Sequence, residues 1–218
     1  MSRHTHHLVP IKKLDRLVRS EFPWLNSTSL ELLALYISEL LTWNAKINLV
    51  GKQDWSSAYH YLIKDSLYLA SLLSRLDLPP DLLSLDLGAG AGLPGIPLRI
   101  AWTSGEYYLV EPRQKRGLFL HHAVRTLALP QTHVRICRAE DLQEPPADLI
   151  LSRAMYPWPQ LLSLARLLLS DQGRVVVFSN QAWNPDHSCP QGWAFHFQEG
   201  YPITDREQRY LWVFSPMT

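Results

Sequence analysis

The stretch DLGAGAGLPG, residues 86–95, places four glycines within eight positions directly after the apolar run LLSL. Gly90, Gly92 and Gly95 satisfy the pattern GxGxxG, whereas Gly88, Gly90 and Gly92 satisfy GxGxG with an acid, Asp86, two places ahead. Glycines after a strand let the backbone approach a ligand closely, because a residue without Cβ neither blocks the approach nor resists unusual backbone angles. A phosphate-binding P-loop is excluded, since Ile96 and Pro97 stand where Lys and Ser/Thr are required.

Outward from this loop the texture is that of an α/β domain. Short apolar runs at 82–87, 106–111, 133–138, 147–153 and 173–179 alternate with amphipathic segments such as KRGLFLHHAVRTLAL and PQLLSLARLLLS. Strands interleaved with helices predict βαβ units and a mostly parallel sheet covered on both faces. Two further runs, WAFHFQEG and QRYLWVFS, predict a C-terminal antiparallel hairpin.

Residues 1–80 lack strand signals and read as an N-terminal helical cap, with the ligand-binding domain at 81–218. Thr28 and Glu31 have capping-box spacing ahead of Leu30, Leu33, Ile37, Leu40 and Leu41, which recur at helical intervals. Asn44, Asn48 and Gly51 mark the end of that helix, and a second is expected over 56–76 before the prolines of DLPPD. Lys12, Lys13, Arg16 and Arg19 form a basic cluster, either an RNA-contacting arm or a solvated helix face.

Composition narrows the class. The chain has 218 residues, 46% hydrophobic and 19% charged, with a net charge of +1, so nucleic-acid contact would need a local basic patch. Cys137 and Cys189 lack CxxC spacing and read as free thiols in a reducing compartment. No apolar run is long enough to cross a bilayer, and MSRHTHHLVP lacks the apolar core of a signal peptide, so a cytoplasmic protein is expected. His4, His6 and His7 read as part of a disordered tail rather than a metal site.

In a doubly wound sheet, ligands bind beyond the carboxyl ends of the strands. A carboxylate at Asp86 would repel a pyrophosphate but suits the amino group and sulfonium of S-adenosylmethionine. The order Asp86, Gly88, Gly90, Gly92 is that of methyltransferases. Glu111, closing the second strand, can accept from ribose hydroxyls of either cofactor. S-adenosylmethionine is thus expected in a Rossmann-like class I methyltransferase fold, with an NAD-dependent oxidoreductase as the alternative that the literal GxGxxG leaves open.

Four stretches then narrow the reading: WNAKINLV (43–50), KDSL (64–67), LDLGAGAGLPGIPL (85–98) and LSRA (151–154). Together they resemble the RsmG (GidB) family, bacterial 16S rRNA guanine-N7 methyltransferases. The resemblance implies that Gly88 and Leu93 lie against the cofactor, that Ala139 and Glu140 border its adenine, and that Arg153 sits beside the ligand. It also implies 16S rRNA or the small ribosomal subunit as partner. The chain departs from the family pattern at Glu111-Pro112, Leu62, Val50 and Ser179-Asn180, where Asp-Ser, His, Thr and Lys-Gly are usual. A catalytically silent assembly factor that binds the cofactor is therefore a second alternative.

Guanine N7 has a lone pair and no proton to lose, so no catalytic base and no metal are expected. Arg153 reads as a binding residue for the cofactor carboxylate or an RNA phosphate, because a cation at N7 would oppose the charge that methylation creates. Tyr156 and Trp158 are candidates for lining the base pocket, against a packed-aromatic alternative. Lys115 and Arg116, with Arg125, form either a phosphate patch or a solvated face. His121 and His122 read as helix residues, and a monomer is expected.

Overall fold

A computed structural model of the chain describes residues 9–217 except 154 and 187. His4, His6 and His7, and Ala154 of the LSRA stretch, lie outside the described residues. The first helix, α1 (Ile11–Glu21), carries the basic cluster with Lys12, Lys13 and Arg16 exposed and Arg19 paired with Asp15 at 2.6 Å. It buries Leu14 and Val18 against α2 (Ser27–Ile47), which buries Leu30, Leu33, Ile37, Leu40 and Leu41 as their spacing predicts.

The α2 N-cap is Asn26, whose side chain accepts from Ser29 N at 2.8 Å, and not Thr28. Asn26 is still extended, as a cap residue must be, while Thr28 already lies inside the helix. The helix ends where the asparagines predict. Asn48 adopts the left-handed conformation at φ 51°, and Asn44 Oδ1 accepts from Val50 N at 2.8 Å.

The second expected helix is interrupted. A short α3 (Trp55–Ala58), capped by Asp54, widens into a π-helical turn (Tyr59–Ile63) before α4 (Lys64–Leu73). It stops short of residue 76, where Arg75 N and Leu76 N bond to carbonyls only three residues back and Ser74 Oγ and Arg75 Nε bond Ser71 O.

The sheet contains β1 (Leu83–Leu87), β2 (Glu106–Val110), β3 (Thr132–Arg135), β4 (Ala147–Ser152), β5 (Leu169–Ser179), β6 (Trp193–Thr204) and β7 (Glu207–Pro216). Their spatial order is β3-β2-β1-β4-β5-β7-β6. The first five pair with one another in parallel, while β7 runs antiparallel to both β5 and β6. This is the expected mostly parallel sheet with a terminal hairpin.

Alternation along the strands feeds two cores. Leu149, Leu151 and Val176 face one side, packed with α1, α2, α4, α5 (Gly95–Ala101) and α6 (Gln114–Thr126). Ile150, Val175 and Val177 face the other, packed with α7 (Trp158–Ala165) and the hairpin aromatics Trp193, Trp212 and Phe214. The N-terminal helices thus share one core with the sheet. Strand order reverses between β1 and β4, so the loops after them diverge and open a crevice at their carboxyl ends.

Candidate cofactor and substrate site

The loop after β1 is built on the three glycines of GxGxG. Gly88, Gly90 and Gly92 have φ of 73°, 59° and 80°, the left-handed region that other residues enter only with strain. The loop is tied across to the end of β2. Gly88 N and Ala89 N both donate to Val110 O, at 2.9 and 3.0 Å.

Glu111, only 3% exposed, completes the tie: Oε2 accepts from Gly90 N and Oε1 from Arg113 N, each at 2.9 Å. A carboxylate has about four acceptor positions, so Glu111 keeps capacity for a ligand hydroxyl.

Gly88, Glu111, Pro112, Arg113, Arg116 and Met155 line a cleft of about 260 Å³ at this edge. Lys115, exposed on the first turn of α6, does not line it. Gly92 and Leu93 are turned inward, with the missing Cβ of Gly92 facing Ile96 and Leu120. Ala139 is buried and Glu140 exposed on a short 3-10 turn (Ala139–Asp141) after β3.

Asp86 requires a correction. It was expected to face the ligand, but it is 1% exposed and points beneath the loop toward Gly95 and the Tyr107 ring. Gly95 N–H and the Tyr107 hydroxyl favour its charged form, yet neither is aligned for a full hydrogen bond. Burial dominates and pushes the Asp86 pKa up to about 7.

The physical reason lies in α5. A helix start attracts an anion, and here Asp86 itself fills that place at Gly95. In dinucleotide enzymes a pyrophosphate sits on the helix after the loop, and here a buried carboxyl stands beside that helix start.

Arg153 ends β4 and reaches back to the helical cap. Its Nη1 donates to Asp65 Oδ2 and Leu62 O, each at 3.0 Å. It is also close enough to favour the charged form of Asp86.

Tyr156 and Trp158 border a second cleft of about 260 Å³ at the ends of β4 and β5, with Ser152, Val177, Ser179 and Gln181. Trp158 is half-buried and stacks on Phe214, centroids 5.8 Å apart, within a cluster containing Trp183 and Trp212. Tyr156 is 42% exposed. Arg125 is exposed on α6, where His122 meets Glu39 at 2.7 Å and packs on Trp43.

The sequence alone does not single out Met155, Arg113 or Asp65. Arg113 follows directly from its place between Glu111 and α6. Asp65 had a signal, because an adjacent Lys-Asp pair inside an apolar helix must find buried partners.

The fold recurs in solved methyltransferase structures. The putative methyltransferase yhhF from Escherichia coli aligns with a TM-score of 0.56 at 16% identity, over 72% of this chain and 89% of that one. M. jannaschii TYW2 in complex with AdoMet aligns with a TM-score of 0.53 at 14% identity, over 71% and 75%. At these identities the likeness establishes the fold, that of class I methyltransferases.

Sequence relatives are nearer. Ribosomal RNA small subunit methyltransferase G of Nitratidesulfovibrio vulgaris is 45% identical over 190 residues, 86% of each chain. The proteins of that name from Oleidesulfovibrio alaskensis and Lawsonia intracellularis are each 39% identical, covering 84% and 90% of this chain and 84% and 91% of their own. The family model described as GidB, rRNA small subunit methyltransferase G, matches residues 29–188, and with relatives this similar over most of both chains the protein belongs to that family.

Proposed function

We propose that the protein transfers a methyl group from S-adenosylmethionine to N7 of a guanosine in 16S rRNA. The observation that carries this reading is the left-handed glycine loop at the β1/β4 crevice, with Asp86 filling the start of α5. That loop admits a nucleoside close to its backbone, and the buried carboxyl of Asp86 at the start of α5 disfavours a pyrophosphate there. Family membership supports the methyl donor over a dinucleotide.

The residues fit the cofactor. Glu111 offers a carboxylate for ribose hydroxyls, Gly88 and Gly90 offer close backbone approach, and Ala139 with Glu140 border the same sheet edge. When bound, S-adenosylmethionine supplies an electrophilic methyl group on a sulfonium. The chain supplies no base because N7 releases no proton. Holding two reactants in attack geometry contributes about 7–11 kcal/mol, so positioning is the main task.

Tyr156 and Trp158, at the adjacent cleft, receive the base on an aromatic wall once it leaves its stack, a displacement costing a few kcal/mol. Lys115 and Arg116 contact phosphate. The cap (1–80) and the methyltransferase domain (81–218) act together as a cytoplasmic monomer. Among the described residues no helix is long and apolar enough to cross a membrane.

Ser179 and Asn180 stand where the family resemblance leads one to expect Lys-Gly, which favours a second reading, a silent assembly factor. Single-turnover transfer of labelled methyl to small-subunit particles and to free 16S rRNA, followed by mass spectrometry for N7-methylguanosine, decides between them. Transfer to N7 is the expected result. Cofactor binding without transfer would establish the silent factor instead.

A further inference from the structure

The stretch KDSL contributes two buried charges that the cofactor cleft does not use. Lys64 Nζ pairs with Glu21 at 2.7 Å and donates to Ile203 O of β6 at 3.2 Å. Asp65 is 1% exposed and joins three elements at once. Its Oδ2 accepts from Arg153 Nη1 at 3.0 Å and Arg209 Nη1 at 2.8 Å, while Oδ1 accepts from Tyr201 OH at 3.1 Å.

The π-helical turn ahead of α4 completes this arrangement. Its wider turn frees carbonyls from the helix ladder, and two of them are used here. Leu62 O accepts from Arg153 Nη1 at 3.0 Å, and Tyr61 O accepts from Arg209 Nη1 at 3.2 Å.

Charge is not balanced evenly between the two arginines. Arg209 has a second carboxylate, Glu207, at 3.0 Å, whereas Arg153 shares Asp65 as its single carboxylate partner among the described residues. Arg153 is therefore the less neutralised of the two, and among the described residues only its Nη1 is committed to the hub. Arg153 follows directly on Ser152, which pairs with Leu87 immediately before Gly88, so its backbone stands beside the start of the glycine loop although its side chain does not line the cleft. Its guanidinium favours the charged form of Asp86 and acts on Tyr36, whose hydroxyl donates to Ala91 O at 2.8 Å.

We propose that Asp65 is a positioning residue of the cofactor site, fixing Arg153 through Nη1 so that the rest of its guanidinium receives the carboxylate of the bound methyl donor. The inference rests on the function proposed above. The cofactor carboxylate is preferred to an RNA phosphate because Arg153 sits on the glycine-loop side of the crevice, and a charge-assisted pair there is short and directional.

Calorimetric binding of S-adenosylhomocysteine and of 5′-methylthioadenosine, which lacks the amino-acid moiety, tests it on the full chain. Asp65→Asn is expected to weaken S-adenosylhomocysteine by about tenfold, the range of one charge-assisted hydrogen bond, and to leave 5′-methylthioadenosine unchanged. In an Arg153→Gln background the same substitution is expected to add nothing further. Glu199→Gln, which breaks another tie between the cap and the hairpin at Arg75, should move neither ligand.

Should Asp65→Asn fail to fold, Tyr201→Phe keeps the carboxylate, removes one of its bonds and should give a smaller loss confined to S-adenosylhomocysteine. Equal loss for both ligands, additive effects with Arg153→Gln, or a rise in KM for rRNA alone would overturn the proposal. Wild-type protein that binds neither ligand would refute the function itself and this inference with it.

Discussion

Replacing Asp86 by Asn should change how the protein's stability depends on pH, and the size of the change follows from the burial of one carboxyl. In the unfolded chain an aspartate titrates near its ordinary value of 3.8, while in the folded protein burial pushes Asp86 up to about 7. Between these values the native state holds a proton that the unfolded state has released. Stability then falls as pH rises, by about 1.4 kcal/mol per pH unit at most, reaching about 4 kcal/mol above pH 7. About 2.5 kcal/mol of this develops between pH 5 and 8. Asn carries no charge to desolvate, and Gly95 N–H and the Tyr107 hydroxyl can still face it. Urea unfolding of wild type and Asp86→Asn at pH 5, 6, 7 and 8 measures the difference, and taking the difference removes other groups such as Asp65. The substituted protein should gain on wild type as pH rises. Parallel stability curves across this range would refute the reasoning and show that Asp86 is ionised in the folded protein.

Other substitutions separate packing from binding. Gly95→Ala would overlap Asp86 and Leu109 and should cost about 1–3 kcal/mol in urea unfolding. Gly90→Ala meets only Arg116 Nη1 at 3.6 Å and Gly88 O at 3.7 Å, so it should cost about 1 kcal/mol for its left-handed backbone, yet weaken S-adenosylhomocysteine by about tenfold in calorimetry. Lys115→Ala should lower rRNA affinity and reduce the slope of log affinity against log salt by about 1. Trp158→Ala should destabilise by about 3 kcal/mol, because it removes a ring packed among Trp183, Trp212 and Phe214. Tyr156→Ala should leave the melting temperature unchanged and lower kcat/KM for rRNA by about tenfold, the value of one stacked base.

Legibility in the sequence tracked the distance over which the deciding interactions act. The glycine loop, the strand runs and the asparagine stop of α2 are fixed by backbone preferences of a few residues, and each was found where its composition placed it. The cap of α2 was assigned two residues late because Thr28 and Asn26 are both good caps, and local spacing does not choose between them. The interruption of the second helix was invisible, since nothing in YHYLI marks a widened turn. The carbonyls it frees are taken up by Arg153 and Arg209, which reach it from the end of β4 and from β7. The partners of Asp65 likewise lie 88, 136 and 144 positions away. What remained readable there was only the anomaly of charge in an apolar helix.

Asp86 shows that identity can be legible while direction is misread, although the direction was also encoded. Side chains alternate along a strand, so the neighbours of Asp86 fix where it points. Leu85 and Leu87 both enter the core on the α7 side, and Asp86 must therefore face the side carrying α5. A carboxylate on that face needs an electropositive neighbour and room, and the start of α5 provides both only if its first residue lacks a Cβ. A Cβ at Gly95 would overlap Asp86 and Leu109, so the packing beneath the loop itself demands glycine there. The formal GxGxxG match arises because two different demands for glycine, a left-handed loop and a berth for an internal carboxylate, happen to fall at dinucleotide spacing.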